Sequence, residues 1–151
     1  MVFSAVSHLE CSRCRKRYKH DQILNLCECG YPLLVKYKLE YLANTWKKED
    51  LKNRVISLWR YHELLPVFHE ENIVTLGEGM SPLLRMNKIG EEFGIEQLYM
   101  KDESILPSGT FKSRGASVGI SKAKELQIDR IVMPTNGNAG ASWALYAARA
   151  G

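Results

Sequence analysis

Two stretches toward the C-terminal end of the chain repeat one plan. Gln97-Leu98-Tyr99-Met100-Lys101 is a short apolar run with a charged end, followed by a small-residue turn over 104–111 and a helix-prone segment over about 111–126. Arg130-Ile131-Val132-Met133 is a second apolar run. The turn Pro134-Thr135-Asn136-Gly137-Asn138-Ala139-Gly140 follows it, then a second helix-prone segment through Trp143, Leu145 and Tyr146. Strands alternating with helices at this spacing predict the α/β class, with a parallel sheet and right-handed crossovers. In such sheets ligands bind beyond the carboxyl ends of the strands, which is where both turns would lie.

Each turn carries chemistry. Lys112 falls in the first turn of the first helix. A helix N-terminus carries partial positive charge and favours anions. A lysine there makes sense if its amine is uncharged or used in a covalent bond, as in a Schiff-base lysine of depressed pKa. The alternative is a surface lysine near a helix start. In the second turn Thr135 and Asn136 are natural N-caps, and Gly137 and Gly140 let backbone approach a ligand. Free N–H groups and the helix dipole suit a phosphate or carboxylate, and the Asn138 amide can donate to a ring hydroxyl or phenolate. The alternative here is an ordinary capped helix. Neither the Rossmann Gly-x-Gly-x-x-Gly nor a Walker lysine pattern is present. Gly115, Ala116 and Gly119 on the first helix permit close packing.

The N-terminal part has a different character. All four cysteines lie in the first 30 residues as Cys11-x2-Cys14-x12-Cys27-x-Cys29, with Gly30 next. Short apolar segments, Ile23 to Leu26 and Leu33 to Tyr37, suggest a small β ribbon over 1–40 closed by a knuckle at each end. A unit this small buries too little to fold alone, and four thiolates around Zn²⁺ would supply the missing stability. The second pair is one residue shorter than the usual Cys-x2-Cys, so free thiols in a cytosolic chain, or a lost site that kept its fold, stay open. Arg13, Lys16, Arg17 and Lys19 sit beside the first knuckle. A single ribbon without aromatic–basic interleaving argues against nucleic acid, as does a diffuse net charge of +4. No apolar run approaches the ~20 residues of a membrane span. The residues from Met1 to His8 lack the charged start and long apolar core of a secretion signal, so the cytoplasm is the default location.

Residues 41–95 read as helical and connecting. Helical spacing of apolar residues covers Trp46 to Lys52 and Leu58 to Leu65, with Pro66 ending the second. Trp59 and Tyr61 read as packing or surface residues, and His62 and His69 have no partner pattern. Gly77-Glu78-Gly79 reads as a tight turn between two short extended pieces. A short helix follows over 87–95, capped by Asn87 and ended by Gly94. Residues 96–151 then form the α/β unit.

Together these pieces resemble the threonine synthases, among the pyridoxal-phosphate enzymes of the tryptophan-synthase β (fold type II) superfamily. The resemblance rests on Val74-Thr75-Leu76-Gly77-Glu78-Gly79 with Ser81-Pro82-Leu83, on Lys101-Asp102-Glu103 with Pro107-Ser108-Gly109-Thr110-Phe111-Lys112-Ser113-Arg114-Gly115, and on Thr135 to Gly140 with its Ala-rich helix. A cysteine ribbon ahead of the catalytic fold, often with Cys-x-Cys-Gly as its second pair, is similar to many of that family. Met80 and Asn136 depart from the family pattern, where a small or polar residue and a serine are usual.

The resemblance implies a three-layer, parallel-sheet architecture of which this chain would hold the cysteine ribbon and the truncated start. It implies that Lys112 is the Schiff-base lysine and later a general base and acid. Asn138 would bond the cofactor's 3-oxygen, and Phe111 would lie beside the cofactor. Thr135, Asn136, Gly137, Asn138 and Ala139 would hold the substrate carboxylate, while Ser108, Thr110 and Arg114 shape the site. The implied reaction converts O-phosphohomoserine and water to threonine and phosphate. The implied partners are a small amino-acid phosphate and a second copy in a homodimer. Family members are far longer, so the later Gly-rich phosphate loop and the residue facing the pyridine nitrogen are expected outside this chain. Competing readings are a serine/threonine dehydratase or cysteine synthase relative, which usually lacks the ribbon and the Leu-Gly-Glu-Gly turn, and a non-catalytic binding or zinc-ribbon interaction protein.

Overall fold

A computed structural model describes residues 3–151; Met1 and Val2, which open the N-terminal unit, lie outside the described residues. Strands β1 (Val6–Cys11), β2 (Arg17–Tyr18) and β3 (Leu33–Tyr37) form one sheet in the order β2-β1-β3. Both pairings are antiparallel, with Leu9 opposite Tyr18 on one side and Val35 on the other. The register shifts between Val6 and His8. Such an irregularity bends a strand locally. The expected ribbon therefore uses Leu33 to Tyr37 as a strand, but Ile23 to Leu26 is irregular and Ile23 is exposed. The other two strands come instead from Val6–Cys11 and Arg17–Tyr18, neither of which the sequence pattern singles out.

Helix α1 (Leu39–Thr45) follows, then three 3₁₀ segments at Lys48–Asn53, Leu58–Leu64 and Glu70–Asn72. The two α-helices expected over 46–52 and 58–65 are thus replaced by tighter turns. Trp46 is already extended, and Tyr61 interrupts the second segment with non-helical dihedrals. Short 3₁₀ pieces are common connectors. Leu65 is extended ahead of Pro66, as the steric demand of a following proline requires. The N-terminal sheet docks on this connecting region through Ala5 N–H to Glu63 O (2.8 Å) and the Ser4 hydroxyl to Leu65 O (2.6 Å).

A second sheet pairs β4 (Leu83–Arg85) with β5 (Tyr99–Lys101), with Leu84 opposite Met100. Between them lies α2 (Asn87–Phe93). Asn87 is the first helical residue, and Met86 stands at the capping position expected for it. Gly94 ends the helix in the left-handed region at φ 67°, where a Cβ would be strained.

Helix α3 (Lys112–Glu125) and helix α4 (Asn138–Ala150) pack against each other. Val74, Ala116, Ile120 and Tyr146 form a buried cluster, with Trp143 laid against it. Gly119 makes that contact possible, because a Cβ there would sit 2.4 Å from the Trp143 ring. Gly115 has open space where a Cβ would go, so it has no such packing role.

The α/β class holds, and every strand pair formed among the described residues is antiparallel. Arg130 to Met133 is not a strand, and Val132 is 98% exposed. A parallel ladder forms only when a neighbouring strand offers its edge. Here no described strand pairs with 130–133, and β5 pairs only with β4.

Candidate active site

The turn before α3 is held by its own side chains. Thr110 Oγ1 accepts from Lys112 N–H (3.0 Å), and Ser113 Oγ accepts from Ser108 N–H (3.0 Å). The first satisfies a donor that a helix start leaves without an intrahelical partner, and the second fixes the turn ahead of it. Lys112 is the first residue of α3 and is half-buried. Its Nζ lies 4.0 Å from the centroid of the exposed Phe111 ring.

The turn before α4 follows the same logic. Thr135 Oγ1 accepts from Gly137 N–H (3.2 Å) and Gly140 N–H (2.8 Å). Thr135 is thus the side chain that caps this helix. Asn136, also expected to cap, makes no hydrogen bond with any described residue. The N–H groups of Asn138 and Ala139, at the first two helical positions, have no acceptor among the described residues. They remain available at the positive end of the helix dipole.

Hydroxyl groups join the two turns. Ser142 Oγ, fully buried on α4, lies 2.7 Å from Asn138 O and 2.7 Å from Ser108 Oγ. Ser108 Oγ is in turn 2.7 Å from Ser113 Oγ on α3. Of the residues expected to form the site, Lys112, Phe111, Ser108 and Thr110 therefore cluster at one helix start. Thr135, Gly137, Asn138 and Ala139 cluster at the other, and the serine chain ties the two together.

Arg114 is partly exposed but paired. Its Nε and Nη2 clamp Glu103 at 2.6 and 2.8 Å, and Ser81 donates to the same carboxylate. The Arg114 guanidinium holds the Glu103 carboxyl down at about 2 against an opposing effect of burial, with Ser81 helping. Lys101 Nζ donates to Ser81 O at 2.5 Å. The pair thereby pins the end of β5 and the turn before β4 to α3.

Sequence reasoning missed Glu78, which it read as part of a plain turn. Its side chain is fully buried, between Trp59 and Tyr146. The available signal was an acidic residue flanked by glycines within an apolar stretch, together with two aromatic residues whose polar atoms need partners when buried.

The four cysteine sulfurs sit apart from this site, all within 4.8 Å of one another. Sγ–Sγ distances are 3.5 Å for Cys11–Cys29 and for Cys14–Cys27. The N–H groups of Arg13 and Cys14 both point at Cys11 Sγ at 3.4 Å. Burial pushes the Cys11 thiol up, but these two donors and the neighbouring thiols outweigh it and bring it down to about 6. The Tyr18 hydroxyl lies 3.1 Å from Cys27 Sγ. Four sulfurs gathered in this way could hold one metal ion.

Comparison with known proteins places the chain in a family. Residues 74–151 match the family model described as pyridoxal-phosphate dependent enzyme. The chain is 43% identical over 141 residues to a threonine synthase of Methanocaldococcus jannaschii, covering 93% of this chain and 35% of that protein. It is 39% identical over 145 residues to a threonine synthase of Methanosarcina acetivorans, covering 95% and 35%. A threonine synthase of Halalkalibacterium halodurans is 41% identical over 101 residues, covering 64% and 28%. The chain thus spans about a third of the length of the curated relatives it matches.

Proposed function

The chain belongs to the pyridoxal-phosphate dependent enzymes, and on that premise we propose that it carries the lysine-bearing site of a threonine synthase acting on O-phosphohomoserine and water. The observation that carries this reading is the Ser142–Ser108 contact of 2.7 Å, which brings the Lys112 turn and the Asn138 turn into one hydrogen-bonded unit. The donor set suits the cofactor and an amino-acid substrate. There is an amine for its aldehyde, a side-chain amide for its ring oxygen, and two free N–H groups for a carboxylate. The space beside Gly115 and Gly137 is open where a Cβ would stand.

When bound, pyridoxal phosphate supplies the electron sink that stabilises negative charge on the substrate carbons. Lys112 would hold its aldehyde carbon and later take and return protons at the substrate carbons. Asn138 would donate its amide to the 3-oxygen. The Asn138 and Ala139 N–H groups, with the Thr135 to Gly137 turn around them, would orient the substrate carboxylate. Phe111 would cover one side of the ring. Ser108 and Thr110 act on Lys112 indirectly, by fixing the turn that presents it.

Incubation with pyridoxal phosphate, borohydride reduction and peptide mass mapping tests this reading. The label is expected on Lys112, and a label elsewhere or none overturns it. For the substrate, the protein is expected to release phosphate from O-phosphohomoserine. Ammonia from threonine without phosphate release would assign it to the dehydratases instead.

The same reading takes residues 1–40 as a zinc-ribbon-like unit, 41–95 as a helical connecting segment with the start of the large domain, and 96–151 as the partial α/β cofactor domain, of three-layer parallel-sheet architecture, that carries the lysine and Asn138 turns. Two features support it. The cysteine sulfurs converge. An apolar groove between α3 and α4, lined by Ile120, Ile131, Val132, Trp143 and Ala147, offers a face on which sheet strands could pack. It also expects a cytoplasmic homodimer without a nucleic-acid partner, and none of the described helices is long and apolar enough to cross a membrane.

A further inference from the structure

Glu78 is an acceptor surrounded only by donors. One carboxylate oxygen accepts from Trp59 Nε1 (3.1 Å) and Thr75 Oγ1 (3.0 Å). The other accepts from the Tyr146 hydroxyl (2.6 Å) and Leu76 N–H (3.0 Å). The side chain is 0% exposed, and none of the described lysines, arginines or histidines lies within ion-pair distance. An ionised carboxylate has two oxygens with room for all these donors and no proton of its own to misplace. An amide of the same shape would turn an NH₂ toward two of them. A buried charge is costly unless hydrogen bonds replace its water, and here they do.

The donors come from separate parts of the chain. Trp59 belongs to the 3₁₀ segment Leu58–Leu64, and its Nε1 also lies 2.9 Å from Ser117 Oγ on α3. Ser117 in turn donates to Val74 O at 2.8 Å. Tyr146 belongs to α4. Residues four apart on a helix share a face, so Tyr146, Ser142 and Asn138 form one row along α4. The Ser142 hydroxyl at the middle of that row meets Ser108 beside Lys112. Backbone geometry places the carboxylate as well. Leu58 N–H bonds Glu78 O at 2.6 Å, and at Gly79, with φ 146°, a Cβ would come within 2.7 Å of Leu58 N.

We infer that Glu78 is a positioning residue: its buried, fully hydrogen-bonded carboxylate group fixes the rotation of α4 against α3 and thereby sets the Asn138 turn against Lys112. The inference rests on the proposed function for the roles of Lys112 and Asn138. The juxtaposition of the helices does not depend on any ligand.

Amide hydrogen exchange on the cofactor-free chain tests it. Glu78→Gln is expected to speed exchange at Ala141, Ser142 and the first turn of α3 by about tenfold or more, the scale of one buried donor left without its acceptor. Leu9 and Val35 in the N-terminal sheet should keep their protection. Glu78→Asp, which keeps the charge on a shorter arm, should restore part of it. Tyr146→Phe should give a smaller loss confined to α4, and it carries the test if Glu78→Gln does not fold. With cofactor present, half-saturation of Lys112 labelling should need about tenfold more pyridoxal phosphate in Glu78→Gln. Unchanged exchange in α3 and α4, or equal loss in the N-terminal sheet, overturns the inference. Absence of Lys112 labelling in the unmutated chain overturns the proposed function instead, and the exchange result still decides the role of Glu78.

Discussion

The cysteine-bearing sheet and the α3–α4 pair are held together by different kinds of contact. The sheet is drawn from residues 6–37. At the end of β1 lies a cluster of sulfurs brought together by two local turns. The α3–α4 pair depends on bonds between residues far apart in sequence, with Trp59 reaching Ser117 and Glu78 reaching Tyr146 across 58 and 68 positions. Local contacts cost little loop-closure entropy but enclose little apolar surface. Distant contacts enclose a real core but require each buried polar group to find its partner. One region should therefore fail when its thiols are altered, and the other when its packing or its polar partners are altered. Neither failure should spread to the other.

The largest effect is expected at the sulfurs. The protein isolated without chelators should contain one Zn²⁺ per chain. Cys11→Ser or Cys27→Ser should abolish that binding and unfold the β1–β3 sheet, since structural zinc sites contribute on the order of 10 kcal/mol to small units. Amides of α3 and α4 should stay protected. Metal analysis with residue-resolved hydrogen exchange checks this. A zinc-free chain with a fully protected β1–β3 sheet would show that the cysteines are structural thiols.

In the other region a packing change should dominate. Gly119→Val would drive a branched side chain into the Trp143 ring, which lies 2.4 Å from even a single Cβ. Overpacking of this kind costs about 1–3 kcal/mol. A smaller partner should relieve it, so Gly119→Val with Trp143→Leu should lose less stability than the two single changes added together. Denaturant titration of the four variants measures the coupling. Strict additivity would mean that α3 and α4 do not meet through this contact.

The same contrast explains what could be read from the sequence. The lysine turn, the Asn138 turn, both long helices and the cysteine spacing are local signals, and they lie where the sequence reading put them. Helix α3 begins at Lys112, and α4 begins at Asn138. What failed were the features that depend on distant partners. Ile131 to Met133 has strand character but no strand beside it, so its propensity finds no expression. Glu78 looked like a turn residue because the donors that bury it come from Trp59 and Tyr146, and no local pattern shows that they converge. Val6 to Cys11 alternates too weakly to be called a strand, yet it becomes the middle one because β2 and β3 pair on either side.

The smallest expected effect concerns Glu103 and Arg114, at the margin of the α3–α4 region. Arg114 holds the Glu103 carboxyl at about 2, below its ordinary 4.5. The folded state thus favours the ionised carboxylate. Its contribution is fully present above about pH 4.5 and is lost as pH falls through about 2. The pair is partly open to solvent, with side chains 29% and 22% exposed, so screening reduces the effect to about 1 kcal/mol. Other carboxylates titrate over the same range, so the informative quantity is the stability difference between the unmutated chain and Glu103→Gln. That difference should shrink as pH is lowered from 4.5 toward 2. Arg114→Lys should reduce it at every pH, because an ammonium cannot reproduce the two-point clamp of the guanidinium. A difference that does not change with pH would mean that the Glu103 side chain matters for its packing and not for its charge. The link from the turn before β4 to α3 would then rest on the bond from Arg114 Nη2 to Ser81 Oγ (3.3 Å).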